Sequence, residues 1–190
     1  MRQDELWDEF YQSNPRPWRG NSRIPIPCSG DALDLGCGNG KTSSTLVDNG
    51  FNVTGVDFSQ HAVEMCRDML PDRTRFEVVD IRDLPFDDCS FDYITAVHVL
   101  ENLDDPGLVE AVSEIRRVLR PGGYVFCRLF TPDDMRSGSR SKGDFEYTFH
   151  TRDRLEELFG GFEVVSSELV EERTRFNTVR SRVECLFHNP

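Results

Sequence analysis

Three glycines, two acids and a histidine stand at spacings that chemistry can use. Gly36, Gly38 and Gly40 alternate in DALDLGCGNGKTSSTLV (residues 31–47), where an apolar run stops and a helix-forming pattern begins at once. A turn that tight, opening onto a helix start, lets something lie against bare backbone. Asp57 closes the next β-rich run, and an acid about twenty residues beyond a glycine turn is well placed to accept from ribose hydroxyls. Asp80 closes the run after that, and His98 stands at the end of a fourth. In an open parallel sheet the carboxyl ends of the strands lie along one edge, so all of these residues should border one crevice that takes a nucleoside-containing cofactor.

That combination alone suits a nicotinamide enzyme equally well. The details of the turn argue otherwise. It reads G-C-G-N-G, and Lys41 stands where G-x-G-x-x-G needs its last glycine. Leu35 stands where G-x-x-x-x-G-K-[ST] needs its first, so a phosphate-cradling loop is disfavoured on both counts.

Such a crevice needs strands and helices in alternation, and the chain supplies them. ALDLG (32–36), FNVTGVD (51–57), FEVVD (76–80), FDYITAVHV (91–99) and GYVFCRLF (123–130) read as strands. Ser59 is placed to cap a helix through Leu70 that stops at Pro71, and Asp105-Pro106 opens another with Leu108, Val112, Ile115 and Leu119 on one face. Pro121-Gly122-Gly123 ends that helix. Thr151 is placed to cap a helix through Phe159, and strands near 162–172 and 177–187 form a closing hairpin-like pair. The opening residues differ: Leu6, Trp7, Phe10 and Tyr11 make an apolar stripe, followed by a proline-rich segment from Asn14 to Pro27.

Composition narrows the function classes. A length of 190 residues suits one domain with a sizeable core. The net charge of -12 argues against broad electrostatic binding of nucleic acid, although Arg128, Arg136, Arg140 and Lys142 concentrate some positive charge. No apolar stretch reaches 18 residues, and the acidic start MRQDELWDEF lacks the layout of a secretion signal. A soluble, cytoplasmic protein is the expectation. Six scattered cysteines without a C-x-x-C pair suggest reduced thiols and no structural metal.

Asp34-Leu35-Gly36-Cys37-Gly38-Asn39-Gly40, Val56-Asp57-Phe58-Ser59, Val79-Asp80-Ile81 and Leu119-Arg120-Pro121-Gly122-Gly123 together resemble the successive motifs of class I S-adenosylmethionine-dependent methyltransferases. The match runs from about residue 31 to 130. It implies an α/β Rossmann-like methyltransferase fold: a mostly parallel seven-stranded sheet, helices on both faces, and an antiparallel last strand. It also implies one domain, with a cap segment at 1–27, a cofactor-binding core at 28–130, and a substrate-side insert and terminal strands at 131–190.

The resemblance implies roles as well. Gly36, Cys37, Gly38 and Gly40 would offer backbone to the methionine and ribose of S-adenosylmethionine, and later to the product S-adenosylhomocysteine. Asp34 would lie near the ammonium through water. Asp57 would hold the ribose hydroxyls with Phe58 beside the adenine, and Asp80 would accept from the adenine amino group near the Ile81 backbone. Ala96 and His98 would edge the sulfonium, with His98 the candidate catalytic residue or a hydrogen-bonded wall. Related enzymes often carry histidine where this chain has Asn102. Trp7, Tyr11 and the stretch Asn14-Pro-Arg-Pro-Trp-Arg-Gly20 resemble lid elements of small-molecule methyltransferases, in which Arg16 or Arg19 would pair with the methionine carboxylate and Trp18 would wall the sulfonium.

The cofactor supplies an electrophilic carbon, so the protein mainly aligns acceptor, carbon and sulfur. A small-molecule acceptor is expected. The missing N/D-P-P-Y/F tetrapeptide weakens methylation of DNA bases, and the acid excess makes direct nucleic-acid binding a poor fit. A tRNA or protein methyltransferase working with a partner subunit, and a non-catalytic cofactor-binding scaffold, are the alternatives. Oligomeric state is not legible.

Overall fold

A computed structural model of the chain describes residues 3–14, 17, 20, 22–70, 74–137 and 145–190. Helix α1 spans Gln3–Ser13, followed by β1 Asp31–Leu35, α2 Lys41–Asp48, β2 Asn52–Asp57, α3 Gln60–Met69, β3 Thr74–Val78 and β4 Phe91–Val97. A 3-10 turn at Leu100–Asn102 leads to α4 Asp105–Val118, β5 Leu119–Phe130, α5 Arg152–Leu158, β6 Glu163–Arg173 and β7 Val179–His188. Seven strands form one sheet in the order β3-β2-β1-β4-β5-β7-β6. The first five are parallel, and β7 runs antiparallel between β5 and β6. The strand order therefore reverses between β1 and β4, the place where open sheets of this kind bind ligands.

The two-residue alternation of a strand divides the core. Leu33 and Leu35 of β1, with Ile94 and Ala96 of β4, pack against Leu108, Ile115 and Leu155 from α4 and α5. Ala32 and Tyr93 point the other way and meet Leu46 of α2. On that second face Val63 and Cys66 of α3 pack against Phe76 and Cys37. Helices thus cover both faces, as the motifs imply. Two strands buried on both sides read in sequence as near-continuous apolar runs, which is how β1 and β4 were recognisable.

Local signals explain the helix starts. The Ser59 hydroxyl accepts from the Ala62 N–H at 3.1 Å, capping α3 where expected. Helix α4 opens at Asp105-Pro106 as expected, and its cap is Asp104, which accepts from the Gly107 N–H at 3.0 Å. Thr151 caps α5. Several bounds differ from the sequence reading. Strand β3 ends at Val78, leaving Asp80 in the following turn, and β4 ends at Val97, just before His98. Strand β5 begins at Leu119 and includes Pro121-Gly122-Gly123, because its start pairs with β4 across an irregular register.

Candidate functional site

The glycine turn leaves β1 and is fastened to β2. Gly36, Gly38 and Gly40 have φ of 64°, 53° and 77°, the left-handed region that side chains resist. Two of these positions are also closed to any side chain by their surroundings. A Cβ at Gly36 would stand 2.5 Å from a Val99 methyl carbon, and one at Gly38 would stand 2.6 Å from the Tyr11 hydroxyl. The Cys37 N–H donates to the Val56 carbonyl at 2.9 Å, and the Gly38 N–H donates to the Asp57 carboxylate at 2.9 Å.

Asp57 is the hub of this arrangement. One oxygen takes the Gly38 N–H and the other takes the Ser59 N–H at 3.0 Å. The carboxyl is 6% exposed, and burial pushes its pKa up to about 6 against those two N–H bonds. Phe58 beside it is exposed.

Asp34 sits on the α2 face of β1 and is buried. It accepts from the Ser43 hydroxyl at 2.6 Å and from the Thr95 hydroxyl at 2.8 Å. Burial raises its pKa to about 6, with Asp57 adding to the rise. Both of its oxygens are engaged inside the fold, a feature the motif did not reveal.

The remaining expected residues divide. Asp80 is half-exposed and engaged by Arg82, whose guanidinium donates to both of its oxygens at 2.5 to 3.0 Å. Arg82 holds the Asp80 carboxyl below its ordinary range, with burial opposing. Ile81 is buried. Ala96 is fully buried in the core, so its methyl faces α4 and only its peptide group lies on the strand's ladder. Gly40 caps α2 in a left-handed conformation without a side-chain bond. Trp18, Arg19, Arg16, Arg140 and Lys142 lie outside the described residues.

Helix α1 lies against this cluster. Asp8 accepts from the Ser59 hydroxyl at 2.6 Å, from the His61 N–H at 3.1 Å, and pairs with His61 Nδ1 at 2.8 Å. Burial opposes the Asp8 charge, but those donors prevail and its pKa falls. Trp7 packs 4.3 Å from the ring of Phe145, and Tyr11 stacks on Trp7 at 6.0 Å. The opening helix therefore meets Phe145 through Trp7 and the glycine turn through Tyr11.

His98 follows β4, one third exposed, with its Nδ1 2.8 Å from a carboxylate oxygen of Glu101, which is fully buried. Glu101 escaped the sequence reading, which singled out its neighbour Asn102. The Asn102 amide donates to the His98 and Val99 carbonyls at 3.3 and 3.1 Å, so it ties the turn together. Among the described residues no cluster of three or more His, Cys, Asp or Glu could hold a metal ion.

The family model described as a methyltransferase domain matches residues 33–127. The demethylmenaquinone methyltransferase of Clavibacter sepedonicus is 40% identical over 124 residues, covering 63% of this chain and 50% of that protein. The chain spans about half the length of the curated relatives it matches. Among solved structures, a SAM-dependent methyltransferase of Methanosarcina mazei superposes with a TM-score of 0.73 at 23% identity, over 84% of this chain and 92% of that one. The Haloferax volcanii protein solved in complex with the Trm112 methyltransferase activator gives a TM-score of 0.73 at 21% identity, over 99% of this chain and 92% of that one.

Proposed function

The chain belongs to the class I S-adenosylmethionine-dependent methyltransferases, and from that premise we propose that it transfers a methyl group to a small-molecule acceptor in the crevice formed by Gly36, Gly38, Asp57 and His98. S-adenosylmethionine is its cofactor. The donor set suits that molecule: two buried carboxylates, Asp34 and Asp57, favour a cation bearing hydroxyls, and bare peptide groups at the glycines allow close approach.

In this reading Asp57 accepts from the ribose hydroxyls while it holds the Gly38 N–H, so one side chain sets both the sugar and the turn. Phe58 lies beside the adenine, and Asp80, already oriented by Arg82, accepts from the adenine amino group near the Ile81 backbone. The peptides of Cys37 and Gly40 complete the turn, and Asp34 acts on the ammonium through Ser43, Thr95 or water. In the same reading Trp18 walls the sulfonium and Arg16 or Arg19 pairs with the methionine carboxylate. The cofactor supplies an activated methyl carbon, and the protein aligns it with the acceptor and excludes water. Residues 1–27 act as cap, 28–130 as cofactor core and 131–190 as the substrate side of a single domain.

The named acceptor of the relatives, demethylmenaquinone, is the first to assay, and a cytoplasmic location is part of the proposal. The described helices include none long and apolar enough to cross a membrane. The observation that carries the proposal is the Asp57 carboxylate fastened to the Gly38 N–H at the carboxyl end of β2. Titration calorimetry with S-adenosylhomocysteine and NAD tests it. Tight binding of the first, none of the second, and methyl transfer to a small acceptor are expected. Preference for NAD would overturn the proposal, and tight binding without transfer across a broad acceptor panel would favour a scaffold.

A further inference from the structure

Beside the cofactor cluster, the carboxyl end of β4 carries a second arrangement. His98 adopts a φ of 58°, a left-handed conformation that its Cβ disfavours. Its backbone N–H is anchored to the Arg128 carbonyl at 2.8 Å. The ring is held from two sides: it stacks on Phe130 with centroids 4.2 Å apart and planes 24° apart, and its Nδ1 meets Glu101 Oε1 at 2.8 Å. Glu101 is fully buried, its other oxygen has no hydrogen-bond partner among the described residues, and its carbonyl accepts from the Thr148 N–H at 2.8 Å and hydroxyl at 3.1 Å. Around Phe130 stand the Arg136 guanidinium, 4.0 Å from the ring centre, and Tyr147, edge-on at 5.8 Å.

An ionised carboxylate only accepts hydrogen bonds, so a Glu101 carboxylate facing Nδ1 would hold the proton there and leave the lone pair on Nε2. Nε2 makes no hydrogen bond among the described residues, and the side chain is 33% exposed. A fixed imidazole with a bare nitrogen is a base, and a base is superfluous for a carboxylate, a thiolate or a neutral amine. An imidazole also cannot strip an aliphatic alcohol effectively, whereas a phenol-type hydroxyl, with pKa about 10, lies within its reach. His98 and Arg136 cover the faces of Phe130, which leaves the ring of Tyr147 to meet a planar molecule.

We propose that His98 is the base for a planar acceptor carrying a phenolic or enolic hydroxyl, and that Glu101 is its positioning residue. The inference rests on the methyl-transfer reading and names its substrate class. The proton of the acceptor hydroxyl passes to His98 Nε2. The electron pair thereby freed on the acceptor forms the bond to the methyl carbon as the carbon–sulfur bond breaks. The pair from that bond stays on sulfur, giving neutral S-adenosylhomocysteine, and His98 releases its proton to water.

Nitrogen-15 spectra of the histidine-labelled full chain, with His98 assigned through His98→Asn, test this without turnover. The expected tautomer has the proton on Nδ1. In the presence of S-adenosylhomocysteine, 1,4-dihydroxynaphthalene kept reduced should move the Nε2 resonance, whereas 1-naphthylamine should not. On the hydroxyl probe, Glu101→Gln should lower kcat by roughly tenfold or more with KM little changed, and Glu101→Asp should restore part of the loss. If Glu101→Gln does not fold, His98→Asn carries the same expectation. A proton on Nε2, an Nε2 resonance indifferent to the probe, unchanged kcat in both variants, or transfer only to amines or thiols would overturn the assignment. Failure of the wild-type chain to bind S-adenosylhomocysteine would instead overturn the proposed function, base included.

Discussion

Each Asp57 oxygen takes a backbone N–H and keeps a lone pair, which the proposed site offers to a ligand hydroxyl. Asp57→Asn removes the charge and turns one acceptor into a donor facing an N–H. We expect S-adenosylhomocysteine affinity to fall at least about tenfold by calorimetry, because hydrogen bonds to a charged group contribute roughly 1.5–3 kcal/mol. The same carboxyl sets a pH dependence. Asp34 and Asp57 both have pKa raised to about 6, so below that pH they take up protons and lose acceptor strength. Hydroxyl and ammonium donors favour the ionised forms, and binding must then expel those protons. Affinity should therefore be flat above pH 7 and weaken as pH falls through 6, by up to about tenfold per unit for each coupled group. In the free protein the sign reverses. A buried carboxyl with a raised pKa is most stabilising below its unfolded value near 3.8, and that contribution is lost as pH rises through about 6. At this scale the acids and glycines were legible from type and spacing. Glu101 was not, because nothing in its own neighbourhood announces a partner three residues earlier; that pairing depends on the left-handed turn at His98.

Elements were legible where periodicity was strong. Strands β1, β2 and β4 were found within one or two residues, whereas β5 was cut short because Pro121-Gly122-Gly123 read as a stop. Pairing along the sheet overrode that local signal. The relation of α1 to the glycine turn could be expected only as a resemblance, and it rests on two kinds of contact. Asp8 grips the start of α3, and Asp8→Ala should raise hydrogen exchange of the α1 amides while leaving those of β1 and β4 unchanged. Tyr11 meets Gly38, and Gly38→Ala should lower stability by about 1–3 kcal/mol in denaturant unfolding. Tyr11→Phe combined with Gly38→Ala should recover only part of that, since it relieves the clash and leaves the left-handed backbone strained.

For the whole molecule, the acid excess foreseen from composition has a direct test. With a net charge of -12, tRNA offered alone should not be retained on filters at about 0.15 M salt, whether or not the cofactor is present. Strand order was legible only in part: β-helix-β alternation foretells the parallel half, while the insertion of β7 between β5 and β6 depends on long-range pairings such as Arg128 with Glu184 at 2.9 Å.

The Tyr11 hydroxyl occupies the space that a larger residue at position 38 would claim. The two sites, far apart along the chain, hence share one volume, and a smaller residue at 11 would empty that space while the left-handed backbone still holds 38 to glycine.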